Sequence, residues 1–306
     1  MAAAAETSIE VLDLALRAGS PRAALRLAED WMLARRDGPP DVPAAVALAL
    51  ADAVGGGPAP SAVTRTALAI AEAVERYGAG FAPGTEPAYH DRHHQAESAI
   101  AMGWLAGAAR RFGLLTPHQA ALAVAAMTAH DLLHDGQVYA ERGVLERQSA
   151  DAAAAIARTH GLAPKDIATL RRIVLATTWP WEDAEAPDLA GQLAREADLF
   201  GSSLPVLGPR LSRLLARELA VAGQPSAEGV ATHAARVGLL RLMPPASRPA
   251  QALGLDSLRG AQLAAYADVA RRLALPEGSP EAAAAALDAM DPGDAEALLA
   301  WAGGTA

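Results

Sequence analysis

The chain has 306 residues, 52% of them hydrophobic but only 4% aromatic, with no cysteine and a formal net charge of −9. Without cysteine there can be no disulfide, thiolate zinc site, iron–sulfur cluster or cysteine nucleophile, so any metal must be held by His, Asp or Glu. The acidic balance argues against nucleic acid as a partner, because affinity for a phosphate backbone comes from clustered cations.

Alanine and leucine dominate the apolar content and favour helix over strand, so an all-α fold is expected. No apolar run reaches the roughly 18–20 residues that span a bilayer. The alanine-rich start, MAAAAETSIEVL, also lacks the basic and apolar regions of a signal peptide. A soluble, cytoplasmic protein with no membrane contact is expected.

Residues 7–77 read as about four short helices. Ser20 followed by Pro21 forms a cap with a first-turn proline, and Ser61 is a second cap. Breaks rich in Gly and Pro at 38–43 and 55–60 separate these helices, which show no phosphate loop and no repeat. They are assigned to a helical extension, residues 1–80, that supports the rest, forms a homodimer contact or covers a pocket.

The stretch FAPGTEPAYH (81–90) punctuates the chain and opens a segment, 81–275, in which the polar chemistry is dense. A helix begins around His90 and ends near Arg110 and Arg111, two cations that suit a helix C-terminus. Thr116-Pro117 opens a helix running to about His134, and Pro164 opens another running to about Thr178. Further helices are predicted near 189–201, 209–222, 226–243, 256–273 and 281–301, with residues 276–306 packing on the central segment. Nowhere do β-branched residues alternate with period two.

Six of the eight histidines fall between 90 and 134. In YHDRHHQAES, His90 and His94 are four apart and share one face of a helix; HDLLHDG repeats that spacing with His130 and His134 and adds Asp131. Neutral imidazoles with carboxylates suit a divalent cation, and the cation in turn lowers the pKa of bound water. Asp131 is also a candidate to bridge two metals. Asp198 is either a further ligand or an ordinary surface partner of Arg195 one turn earlier. His118 and His160 are read as surface or helix-end residues and His93 as an exposed neighbour, while Trp179 and Trp181 are assigned to core packing.

The order YH-x3-H, then HDLLHDG, then a distant Asp in READLFGS resembles the HD-type metal phosphohydrolases. Within that superfamily it is most similar to the catalytic domain of cyclic-nucleotide phosphodiesterases, over about residues 89–268. The resemblance implies a multi-helical bundle in which His94, His130, Asp131 and Asp198 bind a first metal, usually zinc. Asp131 would share a second, magnesium or manganese. Iron would serve in the HD-type oxygenases that use the same ligands. It further implies His90 as general acid, His134 as a contact to metal-bound water and Glu146 as an outer glutamate orienting the ligands. RELAVAGQPSAEG is similar to the family's E-F-x3-G-D-x-E segment, and RPAQALGLD to the segment holding the purine, which makes Gln251 the base-reading residue.

The implied reaction is hydrolysis of a 3′,5′-cyclic nucleotide to the 5′-monophosphate by hydroxide generated at the metals. A nucleotidase or phosphomonoesterase, a di-iron oxygenase and a silent regulatory domain are the alternatives. The chain departs from the family pattern at Asp91, Tyr139, Gln148-Ser149 and Thr178, and Gly254 or Leu255 stands in place of the aromatic that clamps the base.

Overall fold

The computed structural model describes residues 21–55, 61–181, 187–275 and 278–304. All regular structure among them is helical, as the composition predicts. In chain order the helices are α1 (Pro21–Arg36), α2 (Val42–Val54), α3 (Ser61–Ala79), α4 (Arg92–Arg111), α5 (Pro117–Ala129), α6 (Val144–Thr159) and α7 (Pro164–Ala176). They continue with α8 (Leu189–Asp198), the single turn α9 (Phe200–Ser203), α10 (Leu207–Val221), a 3-10 segment (Ala227–Ala231), α11 (His233–Leu242), α12 (Arg248–Ala252), α13 (Leu255–Arg272), α14 (Pro280–Asp288) and α15 (Pro292–Gly304). The helix expected ahead of Ser20, and the Ser20 cap, lie outside the described residues. No described helix is long and apolar enough to cross a membrane.

Helix starts follow the local chemistry. Thr116 accepts from the backbone N–H of Gln119 while the Gln119 side chain accepts from that of Thr116, a complete capping box ahead of Pro117. Asp41, Asp91, Asp188, Thr232, Ser247 and Ser279 each accept one backbone N–H that the first turn would otherwise leave unpaired.

Helix α4 is the axis of the molecule, and every residue from His94 to Ala109 is buried. It packs against α2, α5 and α8, while α5 also packs against α3 and α8, so three segments that carry the histidines and carboxylates are tied directly to one another. The described helices before residue 80 share this core: Met32, Val46, Ile70 and Val74 belong to the same apolar cluster as Ile100, Val124 and Leu193. A separate, smaller cluster joins Val237 of α11, Tyr266 and Val269 of α13 and Leu287 of α14.

Small residues let α2 and α4 approach closely. A methyl group at Gly103 would lie 2.6 Å from the Cα and 2.7 Å from the carbonyl oxygen of Ala49. Those atoms are backbone and cannot swing aside. Gly103→Ala gains at most about 1 kcal/mol in helix propensity but forces two packed helices apart, an overpacking cost of about 1–3 kcal/mol. A net loss of stability is expected, read as a lower urea midpoint at unchanged m-value. An unchanged or higher midpoint would show that the close approach does not matter.

Candidate metal centre

Four side chains converge where α4 begins and where α5 and α8 end. Asp91 caps α4, its carboxylate accepting from His94 N at 2.8 Å, and this fixes His94 in the first turn. Arg36 of α1 holds the same corner: it makes two hydrogen bonds to Glu97, at 2.6 and 3.1 Å, and lies 3.7 Å from Asp91. His130 follows the last residue of α5, and Asp198 is the last residue of α8.

The ligand atoms face one another. His94 Nε2 lies 3.2 Å from His130 Nε2, 3.4 Å from Asp131 Oδ2 and 3.3 Å from Asp198 Oδ1. His130 Nε2 lies 3.0 Å from Asp131 Oδ2 and 3.4 Å from Asp198 Oδ1. Donors about 2.0–2.1 Å from a common ion at tetrahedral corners are separated by about 3.3 Å, so these spacings are those of a ligand shell around one cation. Tautomer chemistry agrees. The Met127 carbonyl is 2.8 Å from His130 Nδ1 and takes the proton there, which leaves the neutral ring's lone pair on Nε2, aimed at a second imidazole nitrogen. Only 1% of His130 and 2% of His94 is exposed, so bulk water does not satisfy that pair. This buried group can hold a metal ion.

Titration follows from the geometry. Burial favours the neutral His94 ring, but hydrogen bonds to Asp131 and Asp198 outweigh it and push its pKa up to about 9. His130 moves up for the same reason, against the same burial penalty. Asp198 is drawn down to about 2 because the two imidazoles overcome the cost of burying its charge, and Asp131 goes down likewise, led by His130.

Without metal, the protonated His94 therefore adds stability below its unfolded value of 6.5, and that contribution is lost as pH rises through about 9. A cation must displace that proton. Zinc affinity should accordingly rise between pH 6.5 and about 9, with at least about one proton released per ion near neutrality. Calorimetry in buffers of different ionisation enthalpy reads the proton directly, and an affinity flat across that range would contradict the ligand assignment.

A second group lies against the first. His90 Nδ1 is 2.5 Å from Glu218 Oε1, and the other oxygen of Glu218 accepts the backbone N–H groups of Tyr89, at 2.8 Å, and His90, at 3.0 Å. The His90 ring stacks on His134 with centroids 3.7 Å apart and lies 5.6 Å from the His94 ring. Burial, reinforced by the charge of His90, lowers the His134 pKa to about 4, so that ring is neutral near pH 7. Its Nδ1 accepts from Gly136 N at 3.2 Å, which places the remaining proton on Nε2. His90, His134 and Glu218 also meet the spacing for an ion, but the pairing of His90 Nδ1 with Glu218 suits a proton relay.

The local structure differs from the sequence expectation at two points. His90 precedes α4, which starts at Arg92, so His90 and His94 meet across the helix entrance and not along one face. Helix α5 stops at Ala129; beyond it, bonds from His130 N to Met127 O, Leu132 N to Ala129 O and His134 N to Asp131 O carry residues 130–134 through tight turns. Those turns aim Asp131 at His94 and let His134 reach His90, which a continued helix would not do.

The other sequence candidates are placed as follows. Asp198 faces the imidazoles, whereas Arg195 donates to the Ala176 carbonyl and lies over Trp181. Glu146 is half-buried in the first turn of α6; burial raises its pKa, and repulsion from Asp131 and Asp198 adds to the shift, which places it within electrostatic reach of the ligands. Gln251 is exposed, and its amide donates to Ala246 O at 2.8 Å. Trp179 does not close the core, being 46% exposed. Sequence reasoning gives Glu218 no role, although its segment is among those carrying the family resemblance. Tyr89 is likewise missed; its buried ring lies 4.8 Å from the His94 ring and its hydroxyl 3.3 Å from Ser202 Oγ. The chain matches no family model, no curated protein and no solved structure.

Proposed function

We propose that this chain is a metal-dependent phosphoester hydrolase of the HD type, acting on a 3′,5′-cyclic nucleotide to give the 5′-monophosphate. One observation carries the reading: two buried imidazoles and two half-buried carboxylates stand beside a His–Glu pair suited to handling a proton. His94, His130, Asp131 and Asp198 would hold a zinc-type ion. Asp131, which also lines the crevice containing His90 and His134, would share a second cation such as magnesium or manganese, iron being the alternative metal. Such ions supply Lewis acidity, activating water and neutralising phosphoryl charge.

The remaining chemistry belongs to the chain itself. Glu218 accepts the His90 Nδ1 proton and fixes the ring, leaving Nε2 as the atom from which a proton would pass to a departing oxygen. The neutral His134 ring stacks against His90 and fixes its plane. Glu146, close to the ligand charges, helps orient the groups around Asp131.

A second reading, a nucleotidase or phosphomonoesterase with the same metals, is favoured by one feature. The amide nitrogen of the exposed Gln251 is bound to Ala246 O, which leaves only its oxygen for reading a base. Zinc- and manganese-loaded protein assayed in parallel on cyclic AMP, cyclic GMP and nucleoside monophosphates decides between them. Conversion of a cyclic nucleotide to the 5′-monophosphate supports the first reading, and phosphate release from monophosphates alone supports the second. Turnover of none of these rejects both.

A further inference from the structure

Gln95, the residue after His94 on α4, is 2% exposed, and neither its amide nitrogen nor its amide oxygen has a hydrogen-bond partner. A buried amide left in that state costs about 1–3 kcal/mol for each unsatisfied group, whereas an apolar side chain of the same shape would cost nothing of the kind. The side chain lines a crevice of 10 Å³ between α3 and the start of α4, whose walls include His90, Asp131 and His134. That volume is about what one water requires, provided two to four polar groups surround it.

We infer that Gln95 is a positioning residue that fixes one water molecule against Asp131 and His134, at the edge of the candidate metal centre. The donors and acceptors balance. Gly136 N donates to His134 Nδ1, which places the ring's proton on Nε2, where it can donate to the water oxygen. Asp131 turns Oδ2 towards the two imidazoles and is also one of the residues lining the crevice, so that its carboxylate can accept one water proton. Gln95 supplies the acceptor for the other proton through its amide oxygen. A water held in this way pins the Asp131 carboxylate from the side facing away from the imidazoles. It thus acts on the metal through Asp131, without Gln95 touching either metal or substrate. Val74, Phe81 and Leu132 form the apolar part of the wall.

This inference rests on the reading of His94, His130, Asp131 and Asp198 as metal ligands, and its test does not require the substrate to be known. Gln95→Met keeps the length and shape of the side chain and removes both polar atoms. In cobalt-loaded full-length protein the visible absorption bands report the ligand field, which Asp131 shapes. The variant is expected to bind cobalt with wild-type stoichiometry, to melt at the wild-type temperature or above it, and to show shifted bands. If cyclic-nucleotide turnover is found, kcat should fall about tenfold with KM little changed.

Unchanged cobalt bands in a folded variant would overturn the inference, whether or not stability changed. Should Gln95→Met not fold, a high-resolution crystal structure of the wild-type protein decides. Water density bonded to Gln95, Asp131 and His134 supports the assignment, and a crevice filled by side chains refutes it. Failure of the cyclic-nucleotide assay with shifted cobalt bands would reject the proposed substrate and leave the role of Gln95 standing.

Discussion

Replacing Asp131 with alanine is expected to strip the metal from the protein and to lower turnover by at least about a thousandfold, the several kcal/mol that a Lewis-acid centre contributes. Asp131 Oδ2 lies within 3.4 Å of both ligand imidazoles and makes the shortest contact in the cluster, 3.0 Å to His130. Its loss removes a negative ligand from a site where only Asp198 could then balance the cation's charge. Folding must be separated from chemistry, because the variant leaves two buried imidazoles with one carboxylate between them. Asp131→Asn keeps the shape and removes only the charge, so it should retain the helical circular dichroism spectrum while binding zinc far more weakly. Full metal content in Asp131→Ala would remove Asp131 from the ligand set, and full activity would show that turnover does not depend on this cluster.

The second large effect concerns the proton. His90→Ala should leave zinc stoichiometry unchanged, since His90 is not among the four ligands, while kcat falls about 100- to 10,000-fold, the usual range for losing a positioned general acid. Leaving-group chemistry discriminates between this role and a merely structural one. A substrate whose leaving group departs as a stable anion, such as a nitrophenyl phosphodiester, needs no protonation and should lose far less rate than a ribose 3′ oxygen. Equal losses on both substrates would assign His90 to packing. Glu218→Gln should show the same selectivity with a smaller drop, because the amide can still accept from the Tyr89 and His90 backbones but no longer offers His90 Nδ1 a carboxylate. Both variants should be compared with the wild-type protein at equal metal content.

Much of this site is legible in the sequence alone. Cysteine-free composition restricts metal donors to His, Asp and Glu, and clustering of histidines between 90 and 134 points to His94, His130 and Asp131 without long-range information. The all-helical fold follows from Ala and Leu content and from caps such as Thr116-Pro117, which the structure shows as a complete capping box. Less legible is how the chain leaves its helices. Regular spacing suggests that His130 and His134 share a helix, yet α5 ends at Ala129. Asp135-Gly136, a turn pair with Gly136 at a φ of 75°, is the local signal that the helix does not continue. Asp91, in the sequence only a departure from a family pattern, is the cap that starts α4 and excludes His90 from it.

What no local pattern can supply is the partner of His90. Glu218 is separated from it by 128 residues and sits on α10 among ordinary helical charges, so only the packing of the bundle brings the two together. Gln95 is equally invisible. A glutamine on a helix attracts no notice until burial leaves its amide without a partner. The N-terminal helices make the same point. Their sequence carries no chemistry, but Arg36 reaches the corner of the site through Glu97 and Asp91, and the close contact of Ala49 with Gly103 sets the position of α4.

Anomalous diffraction from a crystal of the zinc-loaded protein, collected at the zinc edge, tests the central assignment most directly. The account predicts a single strong peak enclosed by the Nε2 atoms of His94 and His130 and the carboxylates of Asp131 and Asp198, with bond lengths of about 2.0–2.2 Å. Zinc found only at surface histidines, with those four side chains paired among themselves, would contradict it.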